Sequence, residues 1–122
     1  MVLLDTNALI WLEQGEARAQ RLLGTHQRVY ISPASLLELQ FLLEVGRIRL
    51  RSGTLESLVN DSRWTLDDPP AAAWFTEAMA LGWTRDPFDR LLVAHARVRG
   101  WRLATADHQL VKRLAPNERV EL

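Results

Sequence analysis

Residues 2–9 of the chain read VLLDTNAL, so that three apolar residues run directly into an aspartate, after which a second apolar stretch begins. No polar residue interrupts the segment 2–4, which is typical of a strand that is buried on both faces. Asp5 then lies where this strand ends and a helix begins. Ligands of parallel α/β sheets bind at the carboxyl ends of the strands, so Asp5 is the first candidate functional residue.

Apolar segments of strand length alternate with helical patterns along the rest of the chain. Further strands are predicted at residues 28–31, 64–66, 101–105 and 119–121, the last at an edge. Helices are predicted at 6–12, 17–23, 33–45, 53–60, between the loop 67–70 and Gly82, from 87 to Gly100, and at 106–114. This alternation favours an α/β fold with a parallel sheet and helices on both faces. With 122 residues and no linker or repeat, residues 1–122 are expected to form a single domain.

Composition excludes several classes of protein. The chain has no cysteine, which excludes a disulfide framework and a thiolate zinc site. No apolar run approaches the ~20 residues of a transmembrane helix, and the N-terminus lacks the charged region and cleavage site of a signal peptide. We therefore expect a cytoplasmic protein without membrane contact.

Charge gives a weaker indication, because fifteen basic residues balance fifteen acidic ones. Fourteen of the basic residues are arginine, and Lys112 is the one lysine. The planar guanidinium suits phosphate, although a GC-rich genome explains the same bias. Acidic residues bound to metal ions would leave the remaining surface net positive, which favours an anionic substrate.

Glu38 is a second candidate, because a helix that begins at Ser32 places it beside Phe41 and Val45 on an apolar face. A carboxylate on such a face is costly unless another group pairs with it. The alternative is a capping box in which Glu38 pairs with Ser35.

Asp89 and Asp86 lie at the start of the helix that opens with Pro87. Asp89 is predicted to point to the apolar side of that helix, toward Leu92 and Ala96, and is therefore a candidate ligand. Asp86 is well explained as an N-cap, with a supporting role at the site as the other possibility.

Asp107 follows the predicted strand that ends at Thr105. It is either an ordinary helix cap or a fourth candidate ligand. The Thr105 hydroxyl is able to bond a neighbouring carboxylate or a phosphate, and threonine is also common in strands for its branched side chain.

The four carboxylates of Asp5, Glu38, Asp89 and Asp107 are all predicted to lie at or just past the carboxyl end of a strand, so we expect them to converge. At an effective dielectric constant of ~20, neighbouring carboxylates repel each other by a few kcal/mol per pair, and they require protons or cations. Oxygen ligands without His or Cys suit Mg²⁺ or Mn²⁺ rather than zinc. Such sites serve phosphoryl chemistry, in which the metal activates water.

Four segments, in this order, resemble the motifs of PIN-domain ribonucleases, specifically the VapC-type toxins of toxin–antitoxin pairs. They are residues 3–11 (LLDTNALIW), 31–39 (ISPASLLEL), 85–94 (RDPFDRLLVA) and 103–107 (LATAD). The resemblance covers nearly the whole chain. It implies a three-layer α/β/α sandwich, a metal-dependent endonuclease acting on RNA, a homodimer, and a VapB-type antitoxin whose tail occludes the site.

The resemblance also implies roles for individual residues. Asp5, Glu38 and Asp89 would bind Mg²⁺ or Mn²⁺, and Asp107 would contribute to the same site. Thr6 and Thr105 would support these ligands.

From their position beside the acidic residues, Arg85 and Arg90 are further candidates for contacts with the substrate phosphate. His95 is predicted to be a core or interface residue rather than a base. Leu36 and Leu43 are predicted on the polar side of their helix, where exposure would indicate a surface for a dimer or an antitoxin.

Other functions fit less well. A phosphatase with an aspartyl-phosphate intermediate usually has a second acid two residues after the first, where this chain has Asn7. A response-regulator-like module needs a lysine near the sheet edge, whereas Lys112 is predicted within a helix. A PIN-like module that binds RNA or protein without cleaving it remains open.

Overall fold

The computed structural model describes residues 1–24 and 26–122, and in those residues two helices follow each of the first three strands. In chain order the elements are β1 (Val2–Leu4), α1 (Thr6–Glu13), α2 (Ala17–Gln20), β2 (Val29–Ile31), α3 (Pro33–Glu44), α4 (Leu55–Val59), β3 (Thr65–Leu66), α5 (Ala71–Met79), α6 (Pro87–Arg99), β4 (Arg102–Thr105), α7 (His108–Arg113), a 3-10 turn (Pro116–Glu118) and β5 (Arg119–Glu121). No helix in the described part of the chain is both long and apolar enough to cross a bilayer.

The five strands form one parallel sheet in the order β3-β2-β1-β4-β5. β1 is central, with Val2 opposite Val29 of β2 on one side and Arg102 of β4 on the other. The chain therefore moves outward from β1 to β3, returns, and continues on the opposite side with β4 and β5. The direction of winding changes between β1 and β4, and α/β sheets form their ligand crevice at the carboxyl end of such a switch point.

Two hydrophobic cores cover the two faces of the sheet. Val2, Leu4 and Ala104 face the core made by α1, α2, α3 and α4, whereas Leu3 and Leu103 face the core made by α5, α6 and α7. All three residues of β1 are fully buried, as the uninterrupted apolar segment predicts. The predicted three-layer α/β/α sandwich and the parallel edge strand β5 are confirmed.

The predicted order of elements is correct, but one inference drawn from it is wrong. Between β3 and β4 the chain forms two consecutive helices, α5 and α6, which pack against each other. Asp89 therefore follows a helix and not a strand. It still reaches the carboxyl edge of the sheet because α6 leads back to β4, so its N-terminus lies where the strands end.

Backbone requirements fix the ends of the elements beside the site. α6 begins after Asp86 with Pro87 in its first turn and ends at Gly100, whose φ of 68° is left-handed. A left-handed residue at this position favours glycine.

At the far end of α1, the buried Glu13 accepts hydrogen bonds from the backbone amides of Arg51 and Ser52 at 2.9 and 3.0 Å. This contact attaches the loop after α3 to the first helix.

Candidate active site

Asp5 lies at the switch point between the two central strands. Its backbone amide donates to the carbonyl of Ala104 at 3.0 Å, and its Oδ1 accepts the amide of Ala8 at 2.7 Å, which caps α1. Only 5% of the residue is exposed. Burial raises the pKa of the carboxyl to about 6; hydrogen bonds from Thr105 and Ala8 lower it, and the nearby charges of Asp107 and Glu38 raise it. The ionised form of Asp5 is therefore unfavourable unless a positive charge lies beside it.

Glu38 lies beside Thr6, the residue that follows Asp5. The Thr6 hydroxyl is hydrogen-bonded to the Ser35 hydroxyl at 3.2 Å, and this contact joins α1 to α3. Burial raises the pKa of Glu38, a hydrogen bond with Thr6 lowers it, and the charge of Asp86 raises it. The capping-box alternative does not form, because Ser32 caps α3 and Ser35 lies within the helix.

The predicted surroundings of Glu38 need correction. Phe41 and Val45 were expected to lie on a core-facing side of α3, but they are 48% and 68% exposed. Glu38 is half-buried at the boundary between this exposed apolar surface and the core. Partial burial remains the first cause of its raised pKa, and the hydrogen bond with Thr6 opposes that effect.

Asp86 and Asp89 occupy the first turn of α6. Asp86 is the N-cap, and its Oδ1 accepts the amides of Phe88 and Asp89 at 2.8 and 3.3 Å. Asp89 is half-buried, and burial raises the pKa of its carboxyl to about 7. The charges of four carboxylates contribute to this raised pKa after burial, those of Asp86, Asp107, Glu38 and Asp5, in decreasing order.

Asp107 is exposed and caps α7, because its Oδ1 accepts the amides of Gln109 and Leu110 at 2.8 and 3.1 Å. Its own amide donates to the Thr105 hydroxyl at 3.0 Å. Thr105 is fully buried. Its hydroxyl links two residues of the site, because it accepts the Asp107 amide and also bonds the Asp5 carboxylate.

The structure thus places the predicted carboxylates close enough together for their charges to shift one another's pKa values. Asp5 and Asp107 cap α1 and α7, and Asp89 lies in the first turn of α6, where the helix dipole partly offsets negative charge. Glu38 lies further along its helix, in the second turn of α3. The offset is incomplete, since the pKa values of Asp5, Glu38 and Asp89 are all raised. Within residues 1–24 and 26–122, however, no three acidic or histidine side chains are placed as closely as a complete set of metal ligands requires.

A sequence model of the family described as the PIN domain matches residues 2–115. The chain belongs to the PIN-domain family. This PIN domain is also 31% identical over 116 residues to Ribonuclease VapC22 of Mycobacterium tuberculosis, a match that covers 89% of this chain and 88% of the relative. The resemblance inferred from the four motifs is confirmed.

Solved structures of similar proteins support the fold of this PIN domain. A toxin–antitoxin complex from Klebsiella pneumoniae contains a chain that matches with a TM-score of 0.71 at 20% identity, over the full length of both chains. VapBC2 from Rickettsia felis, solved with a DNA fragment from its promoter, matches with a TM-score of 0.70 at 21% identity, over 100% of this chain and 99% of that one. At these identities the likeness establishes the fold alone.

The two arginines of the third motif differ in their surroundings. Arg85 is exposed directly before the Asp86 cap. Arg90 donates from Nε to the carbonyl of Thr84 at 2.8 Å and lines a cavity of about 230 Å³ between α5 and α6 with Phe75 and other apolar side chains.

Two polar contacts near the site of this PIN domain were not predicted from the sequence. Ser35 was considered only as a cap, yet it bonds Thr6 within the buried interface of α1 and α3. Asp67 was assigned only to a loop, yet it bonds His95 at 2.7 Å. His95 is fully buried, which confirms its prediction as a core residue. The two contacts join residues that are 29 and 28 positions apart, so no local pattern indicates them.

Proposed function

We propose that this PIN domain is a Mg²⁺- or Mn²⁺-dependent endoribonuclease and the toxin of a VapBC-type toxin–antitoxin pair. The observation that carries the proposal is the group of mutually repelling carboxylates at the switch point, two of them with pKa values of about 6 and about 7. The relative named as a ribonuclease, which aligns over most of both chains, supports the same activity.

Asp5, Glu38, Asp89 and Asp107 would hold the metal ion, with Asp86 beside them. All of their donor atoms are oxygens, as Mg²⁺ and Mn²⁺ prefer. Asp86 and Asp107 each use Oδ1 for a helix cap, which leaves Oδ2 for an ion. Since no three described acidic side chains form a complete ligand set, water would complete the coordination, as is usual for Mg²⁺. The bound ion would activate a water molecule and neutralise charge on the phosphate.

The other residues of the site would position the reacting groups. Thr105 holds the Asp5 carboxylate and Thr6 holds Glu38, so both ligands stay in one orientation. We further propose that Arg85 and Arg90 contact the RNA phosphate beside the acidic residues. Arg85 is exposed in the loop before α6. Arg90 would contact the phosphate while its Nε donates to the carbonyl of Thr84.

The proposed protein partners are inferred from the similar solved structures and from the exposed apolar residues of this chain. Both structural neighbours described above belong to toxin–antitoxin complexes, and we propose a VapB-type antitoxin for this chain.

We also propose a homodimer, because α3 exposes an apolar stripe. The prediction placed Leu36 and Leu43 on the exposed side, but Leu36 packs against the core and Leu43 is half-buried. The exposed apolar residues are instead Leu37, Phe41 and Val45, and α5 adds Phe75 and Met79. Phe41 also contacts Phe88 of α6, with ring centroids 5.7 Å apart, so the exposed stripe of α3 reaches the start of α6.

An RNA cleavage assay with Mg²⁺ or Mn²⁺ tests the activity. Asp5→Asn and Asp89→Asn keep side-chain size and remove one charge each, and we expect either variant to lose at least a hundredfold in cleavage rate. Asp61→Asn is the matched control, because Asp61 pairs with Arg63 at 2.8 Å and does not act on the site carboxylates. Cleavage at the parental rate by both site variants would contradict the proposal.

The alternative function is binding of RNA or protein without cleavage. It is favoured by the absence of three close carboxylates among the described residues. RNA binding by the parent in a gel-shift assay, with no cleavage at any Mg²⁺ or Mn²⁺ concentration, would select this alternative.

A further inference from the structure

His95 is a polar residue in the middle of α6 that is fully buried. Its Nδ1 lies 2.9 Å from Ser32 Oγ and its Nε2 lies 2.7 Å from Asp67 Oδ2. Trp74 packs edge-on against the imidazole, with ring centroids 5.3 Å apart. Both ring nitrogens are thus bonded, and the ring is held in a fixed orientation within the core.

The partners determine which nitrogen carries the proton. Burial raises the pKa of Asp67, but hydrogen bonds from Arg99 and His95 outweigh it and hold this pKa below its ordinary value. The ionised carboxylate only accepts, so Nε2–H of His95 donates to Asp67 and Nδ1 accepts from the Ser32 hydroxyl. Ser32 Oγ in turn accepts the amide of Ala34 at 3.1 Å as the cap of α3.

This chain of bonds joins the supports of two site carboxylates. Ser32 caps the helix that carries Glu38, and His95 lies on the helix that carries Asp89, each within two turns of its carboxylate. Asp67 follows β3, and its amide donates to the last carbonyl of β2 at 3.0 Å. The imidazole is therefore the common contact of α3, α6 and the ends of two strands.

We propose that His95 is a positioning residue for the carboxylate site. By bonding Ser32 and Asp67 it fixes α3 relative to α6, and hence Glu38 relative to Asp89. This inference deepens the proposed function, because the separation of these two carboxylates governs how well they share an ion. Replacing a group that hydrogen-bonds a metal ligand typically changes metal affinity by ten- to a hundredfold. His95 acts one contact further away, through Ser32 and Asp67, so we expect an effect at the lower end of that range.

The test compares His95→Phe, which keeps an aromatic ring but makes neither hydrogen bond, with His95→Gln, which offers both a donor and an acceptor. Leu58→Ala is the control, because Leu58 is buried in the core on the opposite face of the sheet and is not a member of this hydrogen-bonded chain. Three properties are measured: binding of Mn²⁺ alone by calorimetry, kcat and KM for RNA cleavage, and metal-free amide hydrogen exchange at residues 34–36.

We expect His95→Phe to weaken Mn²⁺ binding about tenfold, to lower kcat with little change in KM, and to accelerate exchange at residues 34–36. His95→Gln should recover most of the Mn²⁺ affinity. Leu58→Ala should lower the melting temperature without weakening Mn²⁺ binding. If His95→Phe does not fold, Asp67→Asn, which weakens the same hydrogen bond from its more exposed end, replaces it with the same expected results.

Parental Mn²⁺ affinity in a destabilised His95→Phe protein would overturn the proposal, since His95 would then be structural only. Failure of the parent to bind Mn²⁺ would instead reject the proposed metal site. In that case hydrogen exchange still tests the link to α3, and unchanged exchange at residues 34–36 in His95→Phe would overturn it.

Discussion

The backbone amide of Asp5 donates a 3.0 Å hydrogen bond to the carbonyl of Ala104 and so joins the ends of the two central strands. This bond places the Asp5 carboxyl next to Thr105, where only 5% of the residue is exposed. The charges of Asp107 and Glu38 act on this carboxyl, and Asp5 in turn is one of four carboxylates whose charges act on Asp89. The metal-free site is therefore a source of instability within an otherwise well-packed fold.

Asp89→Asn is expected to stabilise the metal-free protein. Burial and four neighbouring carboxylates raise the pKa of Asp89 to about 7, so at pH ~8 its ionised form opposes folding, and a neutral amide removes about 2 kcal/mol of that cost. Urea unfolding in a chelator measures the change. Asp61→Asn should shift the midpoint the other way, because Asp61 pairs with Arg63; a destabilised Asp89→Asn protein would contradict the prediction.

The pH dependence of stability should identify the same two carboxyls. The pKa values of Asp5 and Asp89 in the fold, about 6 and about 7, exceed the ordinary value of 3.8. Between pH ~4 and ~7 the folded state therefore binds more protons than the unfolded state, and their contribution to stability rises as the pH falls. His95 acts in the opposite direction below pH ~6.5, because burial lowers its pKa.

Comparison with the double variant Asp5→Asn/Asp89→Asn removes the contribution of His95. We expect the double variant to be more stable than the parent at pH ~8, with most of the difference lost by pH ~5. Metal-free thermal melts across this range provide the measurement. A difference that is independent of pH would show that these carboxyls do not titrate as described.

Divalent ions should stabilise the parent. An ion that binds only the folded state adds about 2.7 kcal/mol at a hundred times its Kd, so millimolar Mg²⁺ or Mn²⁺ should raise the melting temperature and a chelator should reverse the rise. Asp89→Asn should respond much less. A parental melting curve that is unchanged by both ions would count against the metal site.

The exposed apolar residues of α3 and α5 predict self-association. Val45→Glu and Met79→Glu place charge at positions that are 68% and 73% exposed, so the fold of a monomer should tolerate them while a dimer through this surface should not. Light scattering after gel filtration measures the mass. Gln20→Glu, on the exposed side of α2, is the control and should keep the parental mass. Dimeric Val45→Glu and Met79→Glu proteins would place the interface elsewhere.

Glu13 is expected to affect stability without affecting the site. Its buried carboxyl accepts two backbone amides, from Arg51 and Ser52, and Glu13→Ala leaves both unsatisfied at a cost of about 2–3 kcal/mol. Urea unfolding should show this loss, and Mn²⁺ affinity should stay at the parental value. A large drop in Mn²⁺ affinity would show that α1 transmits strain to Asp5.

Much of the architecture was predictable because local patterns agree with the fold. The apolar segment before Asp5 indicated the central strand, and Pro87 and Gly100 indicated the ends of α6, since each suits one end of a helix. The positions of Asp5 and Asp107 followed from the rule for strand ends.

The rest depends on contacts between distant segments. Asp89 was expected just past the end of a strand, but two helices, α5 and α6, follow β3, and Asp89 lies at the start of the second of them. Periodicity identified the apolar side of α3 but not whether that side is buried, because residues such as Phe41 and Val45 give the same sequence pattern in a core and on an exposed surface. The bond between His95 and Asp67 is set entirely by tertiary packing.

Three of the site's aspartates, Asp5, Asp86 and Asp107, also cap helices through Oδ1. Asparagine caps a helix about as well as aspartate, and the codons of the two residues differ by a single base. On the proposed function, one transition in the gene that converts Asp5 to asparagine would therefore abolish the activity while the fold is retained. Such an inactive variant would still bind the antitoxin, and it would therefore compete with the active toxin for it.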